Sequence, residues 1–264
     1  TDVVIQDNTI TNINTDNDAT QPRGILVIGL DGGDSADGLE IRNNTVTNIE
    51  SNGGDQAHGI QILEESNGGG LIENVVVDGN TIEDISDIRS TVAVNFNGHI
   101  EGEITNNDIS GLNTEGNPDD VDPGGGFTQV IALNEGGNAA DGPQNVTIEG
   151  NEISNIETTT DDNFAPPFHI IIGPNADAGT ISIENNDFSA DSPDTDVYVS
   201  DGTGELDLGV IADSNTFDSN VIANDTVILP SDPTASVTTS SVAAGDESVT
   251  ADVTFSRTAG GNVT

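Results

Sequence analysis

Apolar and polar residues alternate in short bursts along this chain, and the bursts recur around a fixed asparagine. In residues 146–156, reading VTIEGNEISNI, Val146 and Ile148 alternate with polar neighbours, a Gly-Asn pair follows, and Ile153 and Ile156 come after it. With Asn151 as position zero, the same figure returns at Asn8, Asn44, Asn80, Asn107, Asn186 and Asn215, at successive spacings of 36, 36, 27, 44, 35 and 29 residues. Positions −5 and −3 carry pairs such as Val3 and Ile5, Leu39 and Ile41, Val75 and Val77, or Ile181 and Ile183, with Gly102 and Ile104 and then Val210 and Ala212 as weaker copies. Position +2 is apolar in every copy, from Ile10 to Phe217, in a chain that is only 33% hydrophobic. Position +5 is apolar from Ile13 to Ile156 and fails at Asp191 and Asn220.

Period-two alternation marks a strand with one buried face. Each anchor is followed by a variable loop and another apolar run, beginning at Gly24, Gly59, Thr91, Thr128, Phe168, Asp196 and Thr226. The repeated unit therefore reads strand, Asn turn, short strand, loop, third strand, loop. No stretch carries a helical stripe, which excludes βαβ units. The pattern predicts an all-β fold, a right-handed parallel β-helix of about seven coils over residues 1–230. The alternative, a β-sandwich of hairpins, wants two-residue turns and gives no reason for offsets to persist from unit to unit. In the β-helix each anchor asparagine is expected to bend the chain, since Asn tolerates left-handed and bridge conformations. Stacked at one corner, the asparagines are expected to bond through their amides as a ladder.

From about Leu229 the figure changes. Residues 231–264 alternate Val, Thr and Ala around a GDE turn at Gly245, as expected for a linker and the first strands of an incomplete immunoglobulin-like domain. A linker with one hairpin is the alternative. Because the chain opens within a repeat, it is expected to be an internal segment of a longer protein.

Composition adds an environment. Forty-seven Asp and Glu face four arginines and no lysine, for a net charge of −43. Such self-repulsion opposes a compact state in dilute salt, and at molar salt a Debye length of about 3 Å screens it. The balance resembles that of extremely halophilic proteins, the haloarchaeal type in particular; an acidic, calcium-rich marine surface protein is the alternative. Without a basic patch, neither nucleic acid nor an anionic membrane surface is an expected partner. Cysteine is absent, which removes disulfides, thiol nucleophiles and thiolate metal sites. No apolar run reaches the length of a membrane span, so no insertion is expected within this segment.

The motifs IRNNTVTNI from Ile41, VDGNTIEDI from Val77 and IEGNEISNI from Ile148 resemble the parallel β-helix repeats of the pectin-lyase-like superfamily. The resemblance covers about residues 1–230 and implies the fold. It leaves activity open, since the superfamily includes polysaccharide lyases, glycoside hydrolases, viral tailspikes, adhesins and structural surface proteins. Polygalacturonase-like chemistry would need an Arg-x-Lys motif, which a lysine-free chain lacks, and Gly98-His99-Ile100 is a poor echo of Gly-His-Gly. Acidic versions followed by immunoglobulin-like modules resemble haloarchaeal cell-surface proteins. The expected function is an extracellular structural or adhesive segment, with other copies or neighbouring domains as partners; a polysaccharide-active enzyme or viral receptor-binding spike is the alternative.

Three sets of residues carry candidate chemistry. Arg23, His58, Arg89 and His169 all fall near the entry of a third strand, where stacking is expected to align them into a stripe for an acidic glycan; scarce cations pairing with nearby carboxylates is the plain alternative. Asp31, Asp34 and Asp37 in a Gly-rich turn, and Asp119, Asp120 and Asp122 in the loop 113–126, offer hard oxygen ligands for calcium, or simply a solvated acidic surface. Asn43, Asn145, Asn224 and Asn262 open N-x-Ser/Thr sequons, acceptors for glycosylation in an exported protein.

Overall fold

The computed structural model describes residues 3–16, 21–29, 36–52, 56–64, 70–115, 127–134, 142–158, 167–188, 197–201, 206–217, 221–223, 226–228, 233–238 and 252–257. Within them the chain lays down the same three strands coil after coil. The first sheet stacks Val3–Gln6, Leu39–Arg42, Ile72–Asp78, Ile100–Thr105, Val146–Glu149 and Ser182–Glu184. Thr9–Thr15, Thr45–Ser51, Thr81–Asp87, Asp108–Thr114 and Glu152–Thr158 form the second. Arg23–Gly29, Gln56–Glu64, Ser90–Asn97, Phe127–Asn134, Phe168–Ile172, Val197–Asp201 and Val221–Ala223 form the third. All these pairings are parallel, and they join residues one repeat apart, such as Ile5 with Ile41 and Ile41 with Val77. An all-β chain of stacked parallel sheets is consistent with a parallel β-helix. The core is a set of columns along the stack: Ile41, Val77, Ile104 and Ile148 from the first sheet, Val46, Ile82, Ile109 and Ile153 from the second, all wholly buried. Each such side chain contributes about 1.5–3 kcal/mol of burial.

Positions +2 and +5 are both inward, although strict alternation would turn one of them out. The backbone resolves this at +4, where Asn12, Asn48, Asp84, Gly111 and Asn155 take φ between 53° and 66°. That left-handed residue drops out of the pairing register, as Asn48 does between Thr47↔Glu83 and Ile49↔Ile85, and it reverses the parity of the strand. A fixed three-residue interval between core positions is therefore the record of a left-handed residue repeated at the same place in every strand of the sheet.

The anchor asparagines do not supply the bend themselves. The left-handed conformation lies one residue earlier, at Asp7, Asn43, Gly79, Asn106, Gly150 and Asn185, with φ between 52° and 68°. What the anchors do is satisfy the corner. Asn107 shows the scheme: its Oδ1 accepts from Asn80 N at 2.9 Å and Asn80 Nδ2 at 3.0 Å. Its Nδ2 donates to Asn151 Oδ1 at 2.9 Å and to Val77 O at 3.0 Å. Both donors and both lone pairs of the amide are used. The same links run unbroken from Asn8 through Asn44, Asn80, Asn107, Asn151 and Asn186 to Asn215. The expected ladder is present, and its members from Asn44 to Asn186 are buried.

Three expectations change. Gly102 stands at −5 because a Cβ there would lie 2.1 Å from Val75 O; the register shifts beside it, and the wholly buried Ile100 fills the core instead. Val210 and Ala212 lie in a helix, Leu208–Ser214, rather than a strand. Asp207 caps that helix by accepting from Gly209 N and Val210 N, the usual work of an N-cap carboxylate. Finally, the last parallel strand of the third sheet is Val221–Ala223, and Thr226–Ile228, expected as that strand, pairs antiparallel against it. Further along, Pro233–Thr238 and Asp252–Arg257 form an antiparallel pair.

Candidate functional site

Two polar faces of the stack bring functional groups together. The first lies on the outer side of the third sheet. Gln61 stands between the core residues Ile60 and Ile62, and Asn95 between Val94 and Phe96, so alternation turns both away from the core. Arg23 and His58 are register partners on adjacent strands. Arg23 Nε donates to Gln61 Oε1 at 2.5 Å, and its Nη2 reaches Gln21 Oε1. A 3.4 Å contact joins His58 Nε2 to Asn95 Nδ2, and Asn134 Nδ2 donates to Asn95 Oδ1 at 3.4 Å. Close by, Glu64 Oε2 accepts from His99 N at 2.6 Å. Although they face outward, His58, Gln61 and Asn95 are buried; Glu64, also buried, stands instead on the inward row of Gly29, whose Cβ would meet Ile72.

The expected stripe of four cations does not form. His58 faces out, but His169 occupies the row of Gly24 and Gly59, which points inward: a Cβ on Gly59 would lie 2.7 Å from Ile82 Cγ2. His169 is accordingly wholly buried and meets the Phe188 ring edge-on, with centroids 5.6 Å apart. A single residue of offset thus moves it to the opposite side of the sheet. Arg89 is exposed in the turn before Ser90–Asn97, where its backbone N donates to Asp87 Oδ1 at 2.5 Å. Only Arg23 and His58 are brought together.

The second face lies on the outer side of the first sheet, and the candidate residues drawn from sequence include none of its members. An open groove of about 430 Å³ is lined by Arg42, Val76, Asp78, Glu103, Thr105, Asn106, Glu149, Gly150 and Asn185. Position −2 builds it, because Arg42, Asp78, Thr105 and Glu149 are successive register partners. Arg42 is clamped between Glu40 (Nε to Oε2, 2.8 Å) and Asp78 (Nη1 to Oδ2, 2.7 Å). The hydrogen bond that Arg42 donates to Glu40 is the main influence raising the Arg42 pKa, and the charges of Glu40 and Asp78 add to it. Asp78 also accepts from Asn106 Nδ2 at 2.8 Å and Thr105 Oγ1 at 2.9 Å. The Asn106 bond leads in holding its carboxyl below the ordinary value, followed by Thr105 and Arg42, against partial burial. Arg42 keeps three of its five N–H donors beyond these two bonds. The lining is polar apart from Val76, so the groove suits hydroxyl-rich or charged groups rather than an apolar ligand. Arg42 and Asp78 lie one 36-residue repeat apart, and aligning position −2 would have found the pair.

The calcium and sequon candidates fall mainly elsewhere. Asp31, Asp34, Asp119, Asp120, Asp122, Asn224 and Asn262 lie outside the described residues. Asp37 is exposed and its Oδ1 accepts from Asn74 Nδ2 at 2.7 Å. Among the described residues no group of three His, Asp or Glu is arranged to hold a metal ion. Asn43 is exposed at the left-handed corner beside the ladder. Asn145 is also exposed, with its Nδ2 donating to Glu101 Oε1 at 2.9 Å. Among the described residues no helix is long and apolar enough to cross a membrane.

Comparison with protein-family models, with curated proteins and with solved structures finds no match for this chain. The class is therefore defined by architecture alone: an all-β stack of parallel sheets with an asparagine ladder along one corner.

Proposed function

We propose that the chain is a structural or adhesive segment of an extracellular halophile surface protein, a right-handed parallel β-helix of about seven coils over 1–230 followed, over 231–264, by a linker and the first strands of an incomplete immunoglobulin-like domain. In this reading it is a diverged relative of the pectin-lyase-like superfamily, and other copies or neighbouring surface domains are its partners. The observation that carries the proposal is the continuous seven-asparagine ladder. Its bonds run along the stack, coil to coil, as do Arg42–Asp78 and Asn185–Glu149. Side chains committed this way resist bending and shear, the property a stalk or layer needs. Seven coils at about 4.8 Å give a rod about 30 Å long. The net charge of −43 supports an environment in which salt screens repulsion. The antiparallel pair of Pro233–Thr238 with Asp252–Arg257 supports an all-β module after the rod.

A second reading, a polysaccharide-active enzyme or receptor-binding spike, is favoured by one observation, the register pairing of Arg23 with His58 beside Gln61 and Asn95. Incubation with polyuronates and neutral glycans at molar salt separates the two. A structural segment releases no oligosaccharide, and Arg23→Gln leaves its retention on immobilised glycan unchanged. Released product, lost in Arg23→Gln, would overturn the structural reading.

A further inference from the structure

Left-handed asparagines at the corners of this stack reach back to the coil before them. Asn74, Asn106, Asn145 and Asn185 take φ between 49° and 57°. Each donates from Nδ2 to a carboxylate one coil earlier: Asn74 to Asp37 at 2.7 Å, Asn106 to Asp78 at 2.8 Å, Asn145 to Glu101 at 2.9 Å and Asn185 to Glu149 at 3.0 Å. The charged acceptor makes these the stronger kind of hydrogen bond.

Asn43 has the same backbone, with φ 52°, and holds its side chain as Asn106 does. Asn43 Oδ1 stands over Gly79, where a Cβ would lie 2.8 Å from it, and Asn106 Oδ1 stands over Gly150 at the same distance. In Asn106 that pose brings Nδ2 to position −2 of the coil before, which is Asp78. For Asn43 the corresponding residue is Gln6, the register partner of Arg42, and it offers no carboxylate. Asn43 Nδ2 donates to no described residue. Its exposure belongs to the corner itself, because Asn106 and Asn185 are exposed as well.

Asn43 also opens the sequon Asn43-Asn44-Thr45, whereas Asp108 and Asp187 stand where Asn106 and Asn185 would need a hydroxyl. Asn145 opens the other described sequon, but there Glu101 accepts from Nδ2 and Thr180 Oγ1 accepts from the backbone N–H at 2.8 Å. Of the two, only Asn43 combines the sequon with an uncommitted amide nitrogen.

The geometry points to Asn43 as an N-glycosylation acceptor on the folded chain, selected over Asn145 because no carboxylate holds its Nδ2. This rests on export, which is part of the reading above. The donor class is a sugar activated as a lipid-linked phosphate ester. Asn43 Nδ2 bonds to the anomeric carbon, the bond from that carbon to the phosphate oxygen breaks with its electron pair leaving on the phosphate, and the Nδ2 proton passes to a base of the transferase. The ladder is undisturbed, since the neighbouring Asn44 supplies its own amide to Ile5 O, Asn80 and Asn8.

Glycopeptide mapping by mass spectrometry, on the protein isolated from its own cells, tests this. Asn43 is expected to be occupied, with Asn145 lower by about tenfold, the factor that one charge-assisted bond withholds from the free amide. Gln6→Glu rebuilds the Asn106–Asp78 arrangement and should lower occupancy at Asn43 by a similar factor. Glu101→Ala should raise occupancy at Asn145, and Thr45→Val should abolish the glycan at Asn43. A variant that loses the far-ultraviolet circular dichroism of the parent is set aside, and the parent's own ratio of Asn43 to Asn145 then decides. An unmodified Asn43, equal occupancy at the two sites, or occupancies indifferent to Gln6→Glu and Glu101→Ala would overturn the proposal. Fractionation of the same cells reads export separately: a surface protein unmodified at Asn43 sinks this inference alone, and an intracellular one sinks the export reading with it.

Discussion

Truncating Asn107 to Ala removes the centre of the ladder and exposes its energetics. Asn107 is 1% exposed and makes four side-chain hydrogen bonds. Its loss leaves Asn80 N–H buried without an acceptor and removes the two bonds that Asn107 Nδ2 donates to Asn151 Oδ1 and Val77 O, while Asn80 Nδ2 keeps Ile41 O and Asp78 O and Asn151 Oδ1 keeps the Asn107 backbone N–H. The orphaned donor costs about 1–3 kcal/mol and the two lost Asn107 Nδ2 bonds about 0.5–1.5 kcal/mol each, so the variant should lose about 2–6 kcal/mol, a large fraction of the 5–15 kcal/mol typical of a domain. For a chain of this size about 4 kcal/mol corresponds to a fall of about 8–16 °C in thermal midpoint. Asn8→Ala is the control. Its side chain is exposed, its Oδ1 accepts from no described residue, and Asn44 Oδ1 retains Asn8 N–H, so about 1 kcal/mol or less is expected. Urea unfolding by far-ultraviolet circular dichroism at constant molar salt measures both. Equal losses in the two variants, or a loss under 1 kcal/mol for Asn107→Ala, would refute the ladder as a source of stability.

Three further perturbations follow from particular contacts. Gly102→Ala brings a Cβ to 2.1 Å from Val75 O, which the backbone must move to relieve; a loss of about 1–3 kcal/mol or more is expected, and an unfolding midpoint equal to that of the parent would contradict the close approach. Asp78 has its folded pKa depressed, by Asn106 first and then by Thr105 and Arg42. Its contribution is therefore complete above the ordinary carboxylate range and disappears as pH falls through the depressed value. The stability gap between parent and Asp78→Asn should narrow from pH 7 to below pH 3; a constant gap would show that Asp78 does not titrate as described. With a net charge of −43, thermal midpoints should climb steeply from about 0.15 M to about 1 M sodium chloride, as the Debye length contracts from about 8 Å to about 3 Å, and a flat profile would remove the halophile reading.

The repeat made the architecture legible because each inward position answers to one rule, burial, and the columns through Ile41 or Val46 show it plainly. What the pattern could not give was the conformation that places +2 and +5 on one side. Asn48, Asp84 and Gly111 are three different residues with one left-handed backbone, so the physical cause repeats where the residue type does not. The bend was assigned to the anchor for the same reason: Asn is conspicuous at position zero, while −1 is shared among Asp7, Asn43, Gly79 and others. The late end misled because Val210 and Ala212 copy the strand spacing. A helix also suits them, since it buries Ile211 and Ala212 while leaving Val210 49% exposed, and Asp207 tips the choice by capping it. Candidate chemistry was harder still, because outward positions obey no shared rule. Grouping Arg23, His58, Arg89 and His169 by distance from a strand entry mixed two faces of one sheet. Grouping by register, as Arg42, Asp78, Thr105 and Glu149 are grouped at −2, joins neighbours on one face, with Arg42 and Thr105 both bonded to Asp78. In a stacked fold the useful alignment is therefore vertical: residues one repeat apart share a surface, and a site is read down a column before it is read along the chain.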